Sequence, residues 1–432
     1  MTSLTKVLTS STRRFASVGR KSFSSLMALE DEYPGLPSLS PTPAKAPSAS
    51  VTTLPSGLKV VTEASSGTST VTMTYPKAGS KEEMVDEHGA ALLNKCLAFK
   101  SGSNMSTLFI NRSIEDAGGI PFVTAGRDNA TLGYTVPPEN ATGLVKMLAV
   151  DCSFEKWDLR DAKWLAATEA EVAAESAQVV LTENLYAAAY GPQSAAGKSF
   201  YFTDISTDLI MSFRSRAYGL NGAVLTATGI PDHAAFCAEV GEMLADAPAG
   251  TPDATTPVTF LGGESRVYAP STGYAHVALA FASPASSVLG SVVKKAMTVV
   301  GSPVGVSGFS SPGLVGIYGG SSEGASIVDA MTNVLTTSLT PDVIKRAKAL
   351  AKAEAMFAMD GGSKALAEAM ASFVLESGSF SGPAEVAKAY DAVTDAQVTE
   401  AVKKMLASKP AMAAVGDIGM VPYHATVASR LS

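Results

Sequence analysis

One order of elements runs twice along this chain, and that repetition limits the possible fold more than any other feature. In the first half, Thr53-Leu54-Pro55-Ser56-Gly57-Leu58-Lys59-Val60-Val61-Thr62 reads as a strand, a Pro-Ser-Gly turn and a second strand. Val71, Met73 and Tyr75 then alternate with threonines up to Pro76, which predicts a half-buried strand. A helix follows over 87–100, and 114–119 closes a short helix with a glycine pair. Residues 121–136 predict two strands broken by Gly126-Arg127-Asp128-Asn129, residues from about 140 to 189 are helical, and 222–228 return to the sheet as a buried strand. After a Pro/Gly/Thr-rich stretch at 247–257 the order begins again. Residues 274–282 are a strand, 287–300 a helix, 313–319 a strand, and 325–374 largely helix with a break at Gly361-Gly362. The likeness lies in element order rather than residue identity. It predicts an α+β protein with two tandem domains, 51–246 and 263–432, joined by a linker at 247–262.

The start of the chain is different material. Residues 1–29 carry Lys6, Arg13, Arg14, Arg20 and Lys21, many Ser and Thr, and no acid before Glu30, the composition of a mitochondrial transit peptide. Residues 30–50 hold Pro34, Pro37, Pro41, Pro43 and Pro47, and read as an extended tether or strap. Removing the five cations takes the formal charge from -7 to about -12, which argues against direct binding to nucleic acid or anionic lipid. No apolar run approaches the roughly 18 residues a membrane span needs. Cys96, Cys152 and Cys237 are odd in number and widely spaced, which fits a reducing compartment and small buried side chains rather than a disulfide framework.

Chemistry-bearing patterns are scarce. His88, His233, His276 and His424 are never paired at the spacing that lets two imidazoles share a metal on a helix, and His88 lies two turns from Cys96. Gly316-Ile317-Tyr318-Gly319-Gly320 lacks both the Lys-Ser/Thr of a phosphate loop and the G-x-G-x-x-G of a dinucleotide fold. Methionines and aromatics in 351–374 keep helical spacing and read as core. No catalytic, cofactor-binding or metal-binding residue is assigned, and no cofactor is expected.

The stretch Glu87-His88-Gly89-Ala90-Ala91-Leu92-Leu93-Asn94-Lys95-Cys96-Leu97-Ala98-Phe99-Lys100 resembles the motif helix of the pitrilysin-like zinc peptidases, G-x-x-H-x-x-E-H-x-A-F-K. In that register the two histidine ligands fall on Leu92 and Cys96, and the general-base glutamate on Lys95. Leu92 has no lone pair, and Lys95 is a cation near neutral pH that repels zinc and accepts no proton. Cys96 alone could ligate, whereas a catalytic zinc takes about three protein ligands. Glu169, Glu171 and Glu175 lie near where the family's last ligand falls, and read as the solvated face of a charged helix.

Further patches resemble the family in order: Leu54-Pro55-Ser56-Gly57-Leu58, Lys77-Ala78-Gly79-Ser80, 114–119, Glu183-Asn184-Leu185-Tyr186-Ala187-Ala188-Ala189-Tyr190, and Ser311-Pro312-Gly313-Leu314-Val315-Gly316-Ile317-Tyr318. The resemblance implies two tandem homologous α/β sandwich domains of the pitrilysin/processing-peptidase type. The 183–190 patch, the ligand-free helix and segments 391–398 and 411–422 most resemble the family's non-catalytic core-2 branch in respiratory complex III. That branch implies a structural role at the matrix side of the mitochondrial inner membrane, peripheral to it. Its implied partners are a second pitrilysin-like core subunit and other complex III subunits. The alternative is the zinc-free α branch of the processing peptidase, which handles presequences with a long glycine-rich loop. The matching place here, 300–309, is short and only moderately rich in glycine.

Overall fold

A computed structural model describes residues 48–65, 67–103, 105–151, 153–250, 258–270, 273–284 and 286–431. The predicted transit peptide, most of the proline-rich segment, Cys152 and the centre of the predicted linker lie outside the described residues. Two sheets form the frame. The first has the order β1-β2-β6-β3-β5-β4, from Ala49–Thr53, Lys59–Glu63, Val224–Thr228, Ser69–Tyr75, Ala130–Val136 and Ile120–Ala125. Residues 49 and 50, predicted to belong to the extended strap, already pair with Glu63 and Thr62 in β1. The second sheet has the order β7-β11-β8-β10-β9, from Gly263–Tyr268, Ala411–Gly416, Ala275–Ala282, Leu314–Ser321 and Val306–Ser311. The order β2-β6-β3-β5-β4 and that of the second sheet are one topology: the first strand pairs parallel with the last, and the other pairings are antiparallel. The repetition seen in the sequence is thus a repetition of strand order.

Among the described residues there are thirteen α-helices. In chain order, α1 is Ala90–Cys96, α2 Thr107–Asp116, α3 Lys156–Glu175, α4 Ala177–Tyr190, α5 Thr207–Ala217 and α6 His233–Met243. Next come α7 Ser287–Gly301, α8 Gly324–Thr336, α9 Pro341–Met359, α10 Ser363–Ser377, α11 Pro383–Ala392, α12 Asp395–Leu406 and α13 His424–Leu431. None of the described helices is long and apolar enough to cross a membrane. Two predicted helical runs are broken. The run from 140 splits into 3₁₀ turns and two helices that meet at Ser176, and the run 325–374 breaks first at 337–340, where Thr340 caps α9 and Pro341 opens it.

Alternation sets the layers. Val71, Met73, Tyr75, Leu132, Tyr134 and Leu225 face one core, which α1 and α5 complete. The opposite face of the same strands carries Thr70, Thr72, Thr74, Thr131, Thr226 and Thr228, and it is buried too, so β3 has both faces covered rather than one. The cover is α10, from the other half of the chain. Thr226 Oγ1 donates to the Ala367 carbonyl (3.1 Å), Thr70 and Ser363 hydroxyls meet at 2.8 Å, and Val61 and Val224 join the apolar cluster of Met370, Ala371 and Val374. The exchange is reciprocal. Helix α4, which lies in sequence between β5 and β6 of the first sheet, packs on β7, β8 and β11 of the second. There Leu181, Leu185, Tyr186 and Ala189 pack on Ala278, Ala280, Ala411 and Ala413, whose small side chains let the helix come close to the sheet.

Candidate functional site

Helix α1 is short and is held mainly by what surrounds it. Gly89 precedes it at φ +93°, and a Cβ there would lie 2.3 Å from the Phe202 carbonyl oxygen, so a side chain is excluded on both counts. Glu83 caps the helix by accepting from the Gly89 and Ala91 N–H groups (3.2 and 2.8 Å). Glu87 accepts from the Met84 N–H and is paired with Arg216, whose guanidinium also donates to the Glu82 carbonyl (3.1 Å). The helix is capped at Leu97, and Phe99, two residues further on, has a positive φ of 57°.

The three altered positions have distinct fates. Leu92 is fully buried in the first core. Lys95 projects toward α3, where its Nζ meets Glu169 Oε2 at 2.7 Å, with 24% and 29% of the two side chains exposed. Cys96 is buried, and its thiol is pushed up to about 11, first by burial and then by the Glu169 carboxylate. Glu171 and Glu175 are exposed, as a solvated face requires. Glu169 departs from that reading because α3 packs on α1 and brings it to Lys95. This donor set does not fit a catalytic zinc. One position is an alkyl side chain, one is an ammonium ion already neutralising the only nearby carboxylate of the three, and one is a thiol that stays protonated near neutral pH.

The histidines are dispersed. His88 is buried with Nδ1 3.5 Å from Glu83 Oε2. His233 sits between the Thr52 and Thr62 hydroxyls (2.8 Å each) with Cys237 Sγ at 3.5 Å. His276 meets the Tyr318 hydroxyl and His424 the Pro410 carbonyl, both at 2.8 Å. Among the described residues no three His, Cys, Asp or Glu side chains converge closely enough to hold a metal ion.

Sequence reasoning missed a polar anchor at the base of α4. Arg127, read only as part of a strand break, is buried and pairs with Glu183 (Nη2 to Oε2, 2.8 Å). It also donates to the carbonyls of Ala196 (2.9 Å) and Lys198 (3.0 Å), and its guanidinium lies 3.9 Å from the centroid of the Tyr186 ring. Gly79 permits this: a Cβ there would lie 2.2 Å from the Arg127 carbonyl oxygen. Two of the sequence patches prove to be halves of one contact. The Tyr186 hydroxyl donates to the Pro312 carbonyl (2.8 Å), and the Tyr190 hydroxyl to that of Gly313 (2.9 Å), at the β9–β10 turn. Beside it, an open cleft of about 310 Å³ between α4 and the edge strand β9 has hydroxyls of Thr182, Ser307 and Ser311 above an apolar floor. At the other end of β9, α7 passes into the strand through the single turn Ser302–Val304 and Gly305, at φ +74°. The glycines of 300–309 therefore form a tight connection rather than a projecting loop.

Comparison with known proteins places this geometry. Residues 59–201 match the family model described as Insulinase (Peptidase family M16). The α subunit of mitochondrial processing peptidase from Solanum tuberosum is 28% identical, over 88% of this chain and 84% of that protein. Mitochondrial cytochrome b-c1 complex subunit 2 from Homo sapiens is 27% identical, over 86% of this chain and 90% of that protein. Identity alone does not separate the two. A chain of Complex III2 from Candida albicans, Inz-5 bound, shares the fold at a TM-score of 0.75 and 20% identity, covering 88% of this chain and 99% of that one. The family model spans α1 and the Lys95–Glu169 pair alike, so the altered helix lies within the segment of this chain that is similar to the M16 peptidases.

Proposed function

We propose that this chain is a non-catalytic, core-2-type subunit of the mitochondrial cytochrome b-c1 complex, complex III, and that it works through contacts rather than chemistry. The observation that carries the reading is the Lys95–Glu169 ion pair. Where the family's mechanism needs a base to take a proton from metal-bound water, this chain has a cation bound to a carboxylate. On this reading the protein holds no zinc and cleaves no peptide. Its partners are a second M16 subunit and other complex III subunits, at the matrix face of the inner membrane. Residues 1–29 serve as a presequence, and 51–246 and 263–432 as the two M16 repeats.

The second reading, a presequence-recognising α subunit of a processing peptidase, is favoured by the Solanum tuberosum relative. The tight turn between α7 and β9 weighs against it, since it offers no extended glycine-rich loop for a presequence. Native separation of mitochondrial membranes with mass spectrometry tests the choice. Co-migration with cytochrome b and cytochrome c1 is expected, with depletion lowering the amount of complex III while quinol oxidation per cytochrome stays near normal. A soluble heterodimer that cleaves presequences, with complex III intact in its absence, would establish the second reading. One tightly bound zinc per purified chain would overturn both.

A further inference from the structure

Both tryptophans of the chain lie on α3 and both face solvent, Trp157 with 59% and Trp164 with 71% of its surface exposed. Tryptophan exposes a large apolar area and is enriched at interface centres. Most of the exposed charges of the helix also run against its dipole, while the buried Asp158 in the first turn runs with it. Of its exposed charged residues, Lys156, Arg160, Asp161 and Lys163 lie in the N-terminal half, and Glu171 and Glu175 in the C-terminal half. Cations near a helix N-terminus and anions near its C-terminus are each unfavourable, and the last turn holds no basic residue. Among the described residues, Arg160 pairs with its exposed neighbour Asp161 at 3.5 Å.

An antiparallel copy of the same helix answers both indoles and the charges nearest the two helix ends at once. Trp157, Arg160, Trp164, Ala167, Glu171 and Ala174 follow the 3-4-3-4-3 spacing of a heptad seam, and all six are exposed. About the midpoint of α3, Lys156 is the mirror position of Glu175, Arg160 of Glu171, Trp157 of Ala174 and Trp164 of Ala167. Lys156 and Arg160 therefore meet Glu175 and Glu171, and each indole meets an alanine, while Lys163 lies off the seam and donates to the Ile205 carbonyl of its own chain. Ala174 also borders an open pocket of about 410 Å³ between α3 and α4, lined by Ala170, Ala173, Val179 and Val180 and also by Glu183 and Lys198, with room for a ring. The seam from Trp157 to Ala174 is about 26 Å long at 1.5 Å per residue.

We propose that α3 is the seam of a two-fold homodimer in which the α3 helices of two copies pack antiparallel, Trp157 and Trp164 of each copy over Ala174 and Ala167 of the other, and Arg160 of each facing Glu171 of the other. The contact is isologous, so every pair occurs twice. It goes beyond the assembly reading above and stands without it.

The two tryptophans are the chain's only ones, so their emission reports on this face alone. Sedimentation equilibrium of the purified full chain should show a dimer, with tryptophan emission shifting to the blue as the dimer forms. Trp164→Ala should weaken association on the order of a hundredfold. Arg160→Glu and Glu171→Arg should each weaken it by at least about tenfold, because each sets like charges face to face. The double variant Arg160→Glu/Glu171→Arg should return to within about threefold of the parent, because the reversed pair is again complementary. A chain that stays monomeric with solvent-exposed emission at every concentration would overturn the proposal. So would a double variant as weak as the two single losses combined, or an emission shift that appears only when a different M16 subunit is added.

Discussion

Replacing Arg127 by Ala should loosen the second sheet although Arg127 belongs to the loop between two strands of the first. The side chain is 7% exposed and its partner carboxylate, Glu183, 17%. Its loss leaves Glu183 with the Phe200 N–H as its remaining donor, removes the donor of the Ala196 and Lys198 carbonyls, and takes a cation from the face of Tyr186. Breaking a buried pair by deleting one partner costs about 3–5 kcal/mol, and each orphaned carbonyl about 1 kcal/mol or more where water does not reach it. A loss of about 3–5 kcal/mol in urea unfolding is expected for Arg127→Ala. Removing both charges, as Arg127→Met with Glu183→Gln, should cost about 2 kcal/mol less than the single change, because no unpaired charge is left. Amide hydrogen exchange should locate the effect. Glu183 stands on α4, and α4 is packed on β8 and β11, so protection should fall in Ala275–Ala282 and Ala411–Gly416. A single variant within about 1 kcal/mol of the parent, or faster exchange confined to the first sheet, would refute the reasoning.

Two further outcomes follow from the same geometry. With its thiol pushed up to about 11, Cys96 should be alkylated by iodoacetamide at pH 8 at least about a hundredfold more slowly in the native chain than in urea, whereas equal rates would show a reactive thiolate. Residues 48–250 expressed alone lack α10 and leave the threonine face of β3 and β6 bare, so they should show weak near-ultraviolet circular dichroism and no cooperative unfolding; a sharp two-state transition would contradict the role given to α10.

Much of this fold is legible in the sequence because alternation and turn residues act locally. Val71, Met73 and Tyr75 mark their strand, and Pro312-Gly313 marks a two-residue turn, with Gly313 at φ +73° as a glycine after proline permits. The mismatch with the family's zinc-binding pattern is equally plain in the identities of Leu92 and Lys95. What the sequence hides is which surface each element meets. The threonines of β3 look like a solvent face because nothing near them in the chain could cover them, and their cover lies nearly 300 residues on. Lys95 and Glu169 are 74 positions apart, so their pairing is invisible without the packing of α3 on α1. The break at 337–340 was readable in Thr340-Pro341, a cap followed by a helix-opening proline, and was masked by the helix-forming residues on both sides.

The crossed placement of α4 and α10 also governs how the chain can come off the ribosome. A protein of two independent repeats can close the first while the second is still being made, which shortens the time that its surfaces stay open. Here the first sheet waits for residues 363–377 before its hydroxyl-lined face is sheltered, while α4 waits nearly as long for the strands it must lie on. For most of translation an incomplete sheet and an unplaced apolar helix are both available to other chains, so this polypeptide should depend on chaperone shelter throughout its synthesis.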